Sequence, residues 1–235
     1  MSLLSIIQDA ADEIGLSRPL SVLNNADATV RTLLAYANRE GKELARRHDW
    51  PVLNKLHQFT TAAGVEAYPL PADFDRIVNQ TAWDRTNHWE VPGPLTPQEW
   101  QFRKSAIVST GPWMRFRIRG NGADQFYLDP EPTGSFDLVF EYQSRHWCRS
   151  SGGAGQDRWL ADTDVGVLSE DLITMGVIWR FLQGKGLDYA EAYRSYTAAV
   201  DRNFAQAKGA RVLDLAGPRR DIFIGYDNVP QTGFG

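Results

Sequence analysis

The order in which the hydrophobic period changes constrains this chain more than any motif does. Apolar residues recur at helical spacing near both ends and alternate at strand spacing through the middle. They lose all period in the last 26 residues. An amphipathic stripe must bury itself against another element. Two helical segments at each end are therefore expected to pack as one four-helix bundle, with the middle projecting as an inserted β-rich domain. The predicted class is α+β, with bundle helices from 1–55 and 165–210, a β-rich domain at 56–164 and an extended C-terminal tail at 211–235.

Local signals place the elements. Leu3, Ile6, Ile7, Ala10, Ala11 and Ile14 form one helical stripe, with Ser2 as its cap and Gly15 as its end. A second stripe, from Asp27 to Asp49, carries Val30, Leu33, Leu34, Ala37, Leu44 and Ala45 and stops before Pro51. From Leu56 to Trp147 the segments are short and divided by Pro and Gly. Gln58–Thr61 and Ala67–Leu70 flank Gly64 and predict a hairpin. Arg76–Trp83 and Trp89–Val91 are strand candidates, and Thr96-Pro97-Gln98-Glu99 opens a short helix. Met114–Arg119 alternates strictly, and Gly120-Asn121-Gly122 turns it into Gln125–Leu128. Phe136–Trp147 is a long strand, and Ser150–Gln156 a flexible surface loop. A helix from Ser169 is apolar nearly all round, which predicts deep burial, until Gly184 and Gly186 break it. Tyr189–Lys208 is the last helix, with Tyr193, Tyr196, Val200 and Phe204 on one side.

The bulk properties exclude several classes. A net charge of -4 is wrong for a whole-molecule clamp on nucleic acid. One cysteine, Cys148, cannot form an internal disulfide. The opening residues lack a basic leader, and Asp9, Asp12 and Glu13 interrupt the apolar run, so no signal peptide is expected. No uncharged stretch reaches the length of a membrane-spanning helix.

Nor does a catalytic pattern emerge. His48, His57, His88 and His146 fall outside zinc-ligand spacing, and Cys148 has no thiolate-stabilising motif around it. The acidic cluster Asp157, Asp162, Asp164, Glu170 and Asp171 lacks the frame of a calcium loop. Asp162 and Asp164 are expected to serve turns, and Ser169 to Asp171 a helix start. No metal or cofactor is expected. On the strand at 114–119, Arg115, Arg117 and Arg119 share one face. That face is solvated, meets a neighbouring subunit or meets phosphate. In the tail, Ile222, Phe223, Ile224 and Tyr226 follow Arg219 and Arg220 among Pro and Gly residues. Such a segment either packs on its own domain or docks on a partner as an extended strand, and docking is the expectation.

Several segments then resemble a known family. Tyr68-Pro69-Leu70-Pro71-Ala72-Asp73-Phe74-Asp75-Arg76 is similar to the Y-x-L-P-x-D-F-x-R segment of tailed-phage head-to-tail adaptor proteins. Asn38–Trp50, Phe140–Trp147 and Leu168–Tyr189 look like the flanking pieces in the same order. The resemblance implies a structural virion protein without catalytic residues, forming a homo-oligomeric ring, usually of twelve copies, beneath the portal protein. It implies helical bundles packed side by side, and β-rich parts facing the next tail protein, a nozzle or tail tube. The C-terminal segment would reach the portal, and genomic DNA would pass through the channel. Two other readings stand beside it: another ring of the tail, such as a stopper or nozzle, and a ligand-binding β-rich module.

Overall fold

A computed structural model describes residues 2–105, 113–120 and 124–208. Among them the fold is α+β, with five α-helices and several antiparallel sheets. The helices are α1 (Leu3–Ile14), α2 (Ala28–Arg47), α3 (Pro97–Ser105), α4 (Glu170–Gly184) and α5 (Ala190–Lys208). The strands are β1 (Asn54–Thr60), β2 (Ala67–Pro69), β3 (Phe74–Ile77), β4 (Trp83–Asp84), β5 (Trp89–Glu90), β6 (Arg115–Gly120), β7 (Asp124–Asp129), β8 (Asp137–Ser144), β9 (Cys148–Arg149), β10 (Gly155–Gln156) and β11 (Val165–Gly166).

Capping chemistry sets the helix ends where the sequence signals them. Ser2 and Ser5 form a reciprocal capping box on α1, and the Gly15 amide donates to the carbonyls of Ala11 and Asp12. Asp27 accepts from the Thr29 amide at the start of α2. Thr96 and Glu99 close a box at α3. The α1 entry also has a distant support, because the Leu3 and Leu4 amides donate to the carbonyls of Asp164 and Asp162. The Asp164 carboxylate serves a local turn as expected, whereas that of Asp162 holds a distant segment. The Asp162 carboxylate accepts from the Val22 and Leu23 amides, and that of Asp164 from the Leu160 and Ala161 amides.

Helix α4 packs against α1, α2 and α5, and α1 also touches α2. Its all-round apolar sequence is buried accordingly, from Leu172 through Phe181. The core it anchors reaches beyond the helices to Trp147, Cys148 and Trp159. The Trp147 ring lies where a side chain at position 41 would stand, so α2 has glycine there.

A second core is aromatic and lies between two sheets. One sheet has the order β1-β8-β4-β5 with β3 also on β8, and the other β2-β7-β6. Phe126 of the second stacks on Phe140 of the first with ring centroids 5.2 Å apart, and on Phe116 at 4.6 Å. Each fully buried ring of this kind contributes about 2 kcal/mol through apolar burial.

Three strand expectations need correction. The segments beside Gly64 do not form a hairpin. β1 pairs with β8 along its whole length and β2 pairs with β7, so the chain crosses from one sheet to the other at Gly64. Phe59 and Tyr68 bury their rings against each other between the sheets, 5.0 Å apart, and this face-to-face packing replaces edge pairing. The stretch from Arg76 to Trp83 is two short strands separated by turn residues. The stretch at 150–156 ends in β10, which pairs with β9, so only its first part is loop. The long strand near the end of the block is β8, which is buried along most of its length and has both edges paired, with β1 on one and β3 and β4 on the other.

Candidate interaction surfaces

The segment at 68–76 is a structural joint. The Tyr68 hydroxyl accepts from the Ala62 amide and donates to the Val65 carbonyl, bracing the crossing between sheets. Asp73 accepts from Lys55 Nζ, Ser144 Oγ and Tyr142 Oη. Burial opposes ionisation of Asp73, but these donors outweigh it and hold its carboxyl at about 2. Phe74 enters the aromatic core. Arg76 donates to the His48 carbonyl at 2.8 Å and pairs with Asp49 and Asp75, tying β3 to the end of α2. Sequence order alone could not assign the roles of Asp73 and Arg76, because Tyr142, Ser144 and His48 lie far from them along the chain.

Between α2, α4 and α5 lies a buried ionic network. Arg180 is 6% exposed and donates to Glu40 at 2.6 Å and Glu43 at 2.8 Å. Tyr196 donates to the other oxygen of Glu40. Burial pushes the Glu40 carboxyl up, while Tyr196 and Arg180 pull it back. Above this network a groove of about 420 Å³ is bordered by Arg46, Arg47, Trp179, Tyr193 and Tyr196. A second, of about 230 Å³, lies where α2 meets the end of β8, with Lys42, Arg46 and Arg145 on its walls beside Asp75 and Asp157. Arg46 borders both. The sequence reading passed over this basic side of α2, although Arg39, Lys42 and Arg46 recur at the three- and four-residue steps that align side chains along a helix.

The arginine stripe falls on β6 as the alternation requires. Phe116 is buried, Arg115 and Arg119 are exposed, and Arg117 is half-buried. Arg119 lies over the Tyr127 ring at 5.2 Å. Arg219, Arg220, Ile222, Phe223, Ile224 and Tyr226 lie outside the described residues. Exposed apolar side chains are scattered, with Phe102 and Trp113 the largest beside the β-rich sheets.

Burial, helped by Asp164 and Asp157, pushes the Cys148 thiol up to about 12, so it is no nucleophile at neutral pH. Among the described residues no group of three His, Cys, Asp or Glu side chains is placed to hold a metal ion. None of the described helices is long and apolar enough to cross a membrane.

Comparison with known proteins supplies the context. No curated protein matches the chain. The SU10 adaptor protein family matches it over residues 1–221, which takes in the helical segments at both ends and all of the sheets. A match of that extent accounts for the whole described architecture, and the chain therefore belongs to the SU10 adaptor family, a family of phage head-to-tail adaptors.

Proposed function

We propose that this protein is a structural adaptor that forms a ring below the portal, joins the capsid to the tail and lets DNA pass. The family match across residues 1–221 carries this reading. The helices at 1–55 and 165–210 act as a four-helix bundle that packs beside the bundles of neighbouring copies, twelve in a closed ring. The β-rich part at 56–164 projects toward the next tail protein, a nozzle or tail tube, and offers it the exposed Arg115 and Arg119 with Arg117 between them. The segment at 211–235 docks on the portal through Arg219, Arg220, Ile222, Phe223, Ile224 and Tyr226. Its role is adhesion and passage rather than catalysis. A net charge of -4 suits a channel that must release phosphate rather than grip it.

Negative-stain imaging of the protein mixed with the portal of the same phage tests this. A second ring beneath the portal is expected with the full chain and not with a chain lacking residues 211–235. A ring with both versions removes the docking role of the tail. No ring with either removes the adaptor reading and shifts weight to a stopper or nozzle.

A further inference from the structure

Two helical faces carry charged side chains, of opposite sign, that lack ion-pair partners among the described residues. Helix α1 carries Asp9, Asp12 and Glu13 and no cation. Asp9 and Glu13 have no ion-pair partner among the described residues, and Asp12 has only Arg18 at 3.7 Å. Helix α2 carries cations and two acids, but its acids Glu40 and Glu43 are held by Arg180 and Arg39. Along its solvent side Lys42 has no ion-pair partner among the described residues, and Arg46 reaches only Asp75 at 3.6 Å with its side chain 74% exposed. No carboxylate of α1 pairs with a cation of α2 in the same subunit, although the two helices touch.

The spacing on the two faces matches. Asp9 and Glu13 are four residues apart, as are Lys42 and Arg46. Four residues of α-helix rise about 6 Å, so two such helices laid side by side bring both charge pairs into contact in one register. The two faces are different patches of one chain, and such a contact is heterologous, the kind that builds a ring when its rotation closes.

We infer that the acidic face of α1 in one copy docks on the basic side of α2 in the next, with Asp9 and Glu13 meeting Lys42 and Arg46. This rests on the ring reading above and names the surfaces that make the ring. The Trp179, Tyr193 and Tyr196 groove beside Arg46 lies at the edge of the same contact and supplies apolar area next to the charges.

Carbodiimide cross-linking on portal-bound rings tests the contact, since the reagent joins a carboxylate to a lysine amine only where the two touch. Rings are built from a mixture of isotope-labelled and unlabelled full-length chains. The expected product is a mixed-label peptide pair linking Lys42 to Asp9, Asp12 or Glu13. In parallel, Lys42→Glu with Arg46→Glu, or Asp9→Lys with Glu13→Lys, lowers ring occupancy about tenfold, and the chain bearing all four changes recovers it. All four positions are at least partly exposed, so circular dichroism of each variant matches the parent. Wild-type rings without a Lys42 cross-link to α1, or full rings from either charge-reversed chain, overturn this contact and leave the adaptor reading standing. A bare portal with the wild-type chain overturns both.

Discussion

Asp73 ties Lys55 of β1 to Tyr142 and Ser144 of β8 through one side chain. Its carboxyl falls from an ordinary value of 3.8 to about 2 in the folded protein. That difference stabilises the fold by about 2 kcal/mol at neutral pH. Because the folded-state value is the lower one, the stabilisation is present above about pH 4 and is lost as pH falls through about 2. Asp73→Asn should therefore destabilise the protein at pH 7 by about 2 kcal/mol, and the gap from wild type should close in urea melts carried out near pH 2. Position 41 makes the same point through packing. A methyl group there meets the Trp147 ring, which is fixed by a hydrogen bond from Nε1 to the Asp157 carbonyl. Gly41→Ala should cost about 2 kcal/mol by overpacking, read as a lower denaturation midpoint at an unchanged m-value. In the buried network, Arg180→Ala leaves Glu40 without its cation and should cost about 3 kcal/mol or more in the same assay.

At the level of elements, the end of α2 depends on a residue of another element. Carbonyls in the last turn of a helix lack intrahelical donors. Arg76 of β3 supplies a donor to the His48 carbonyl, placing a positive charge at the negative end of the helix dipole. Arg76→Ala should cost about 2 kcal/mol, the value of a charge-assisted hydrogen bond with its dipole contribution. Hydrogen exchange should locate the loss: amides at 45–50 and 74–77 speed up, while those of α5 do not. Uniform acceleration across all helices would show that Arg76 serves the whole fold rather than this junction.

Across the whole molecule, two buried clusters share no residue. One unites the helices with Trp147, Cys148 and Trp159, and the other lies between the two larger sheets. With no buried residue in common, damage to one core is expected to spare the other. Phe126→Ala should cost about 3 kcal/mol or more in the sheets. Its exchange protection should fall in β6, β7 and β8 well before it falls in α4. Equal loss in both parts would mean that the two cores unfold as one.

The sequence by itself determined the parts that depend on neighbours along the chain. Helix limits followed from Ser2, Asp27, Thr96 and Gly184, since caps and breakers act within a few residues. The deep burial of α4 and the facing of β6 followed from hydrophobic period, and the family resemblance from the order of local segments. Only the tertiary structure decided which strand pairs with which. The Gly64 turn looks the same whether it closes a hairpin or carries the chain between sheets, and the pairing of β1 with β8 and β2 with β7, with the Phe59 ring edge-on to Phe126 and Phe140, settles it for the second. It also decided that Glu40 and Arg180 form a buried pair and that Asp73 and Arg76 serve partners far along the chain. It left Asp9, Glu13 and Lys42 without ion-pair partners among the described residues. Period and capping are local energies, whereas pairing and charge satisfaction depend on which distant groups the fold brings within a few ångströms.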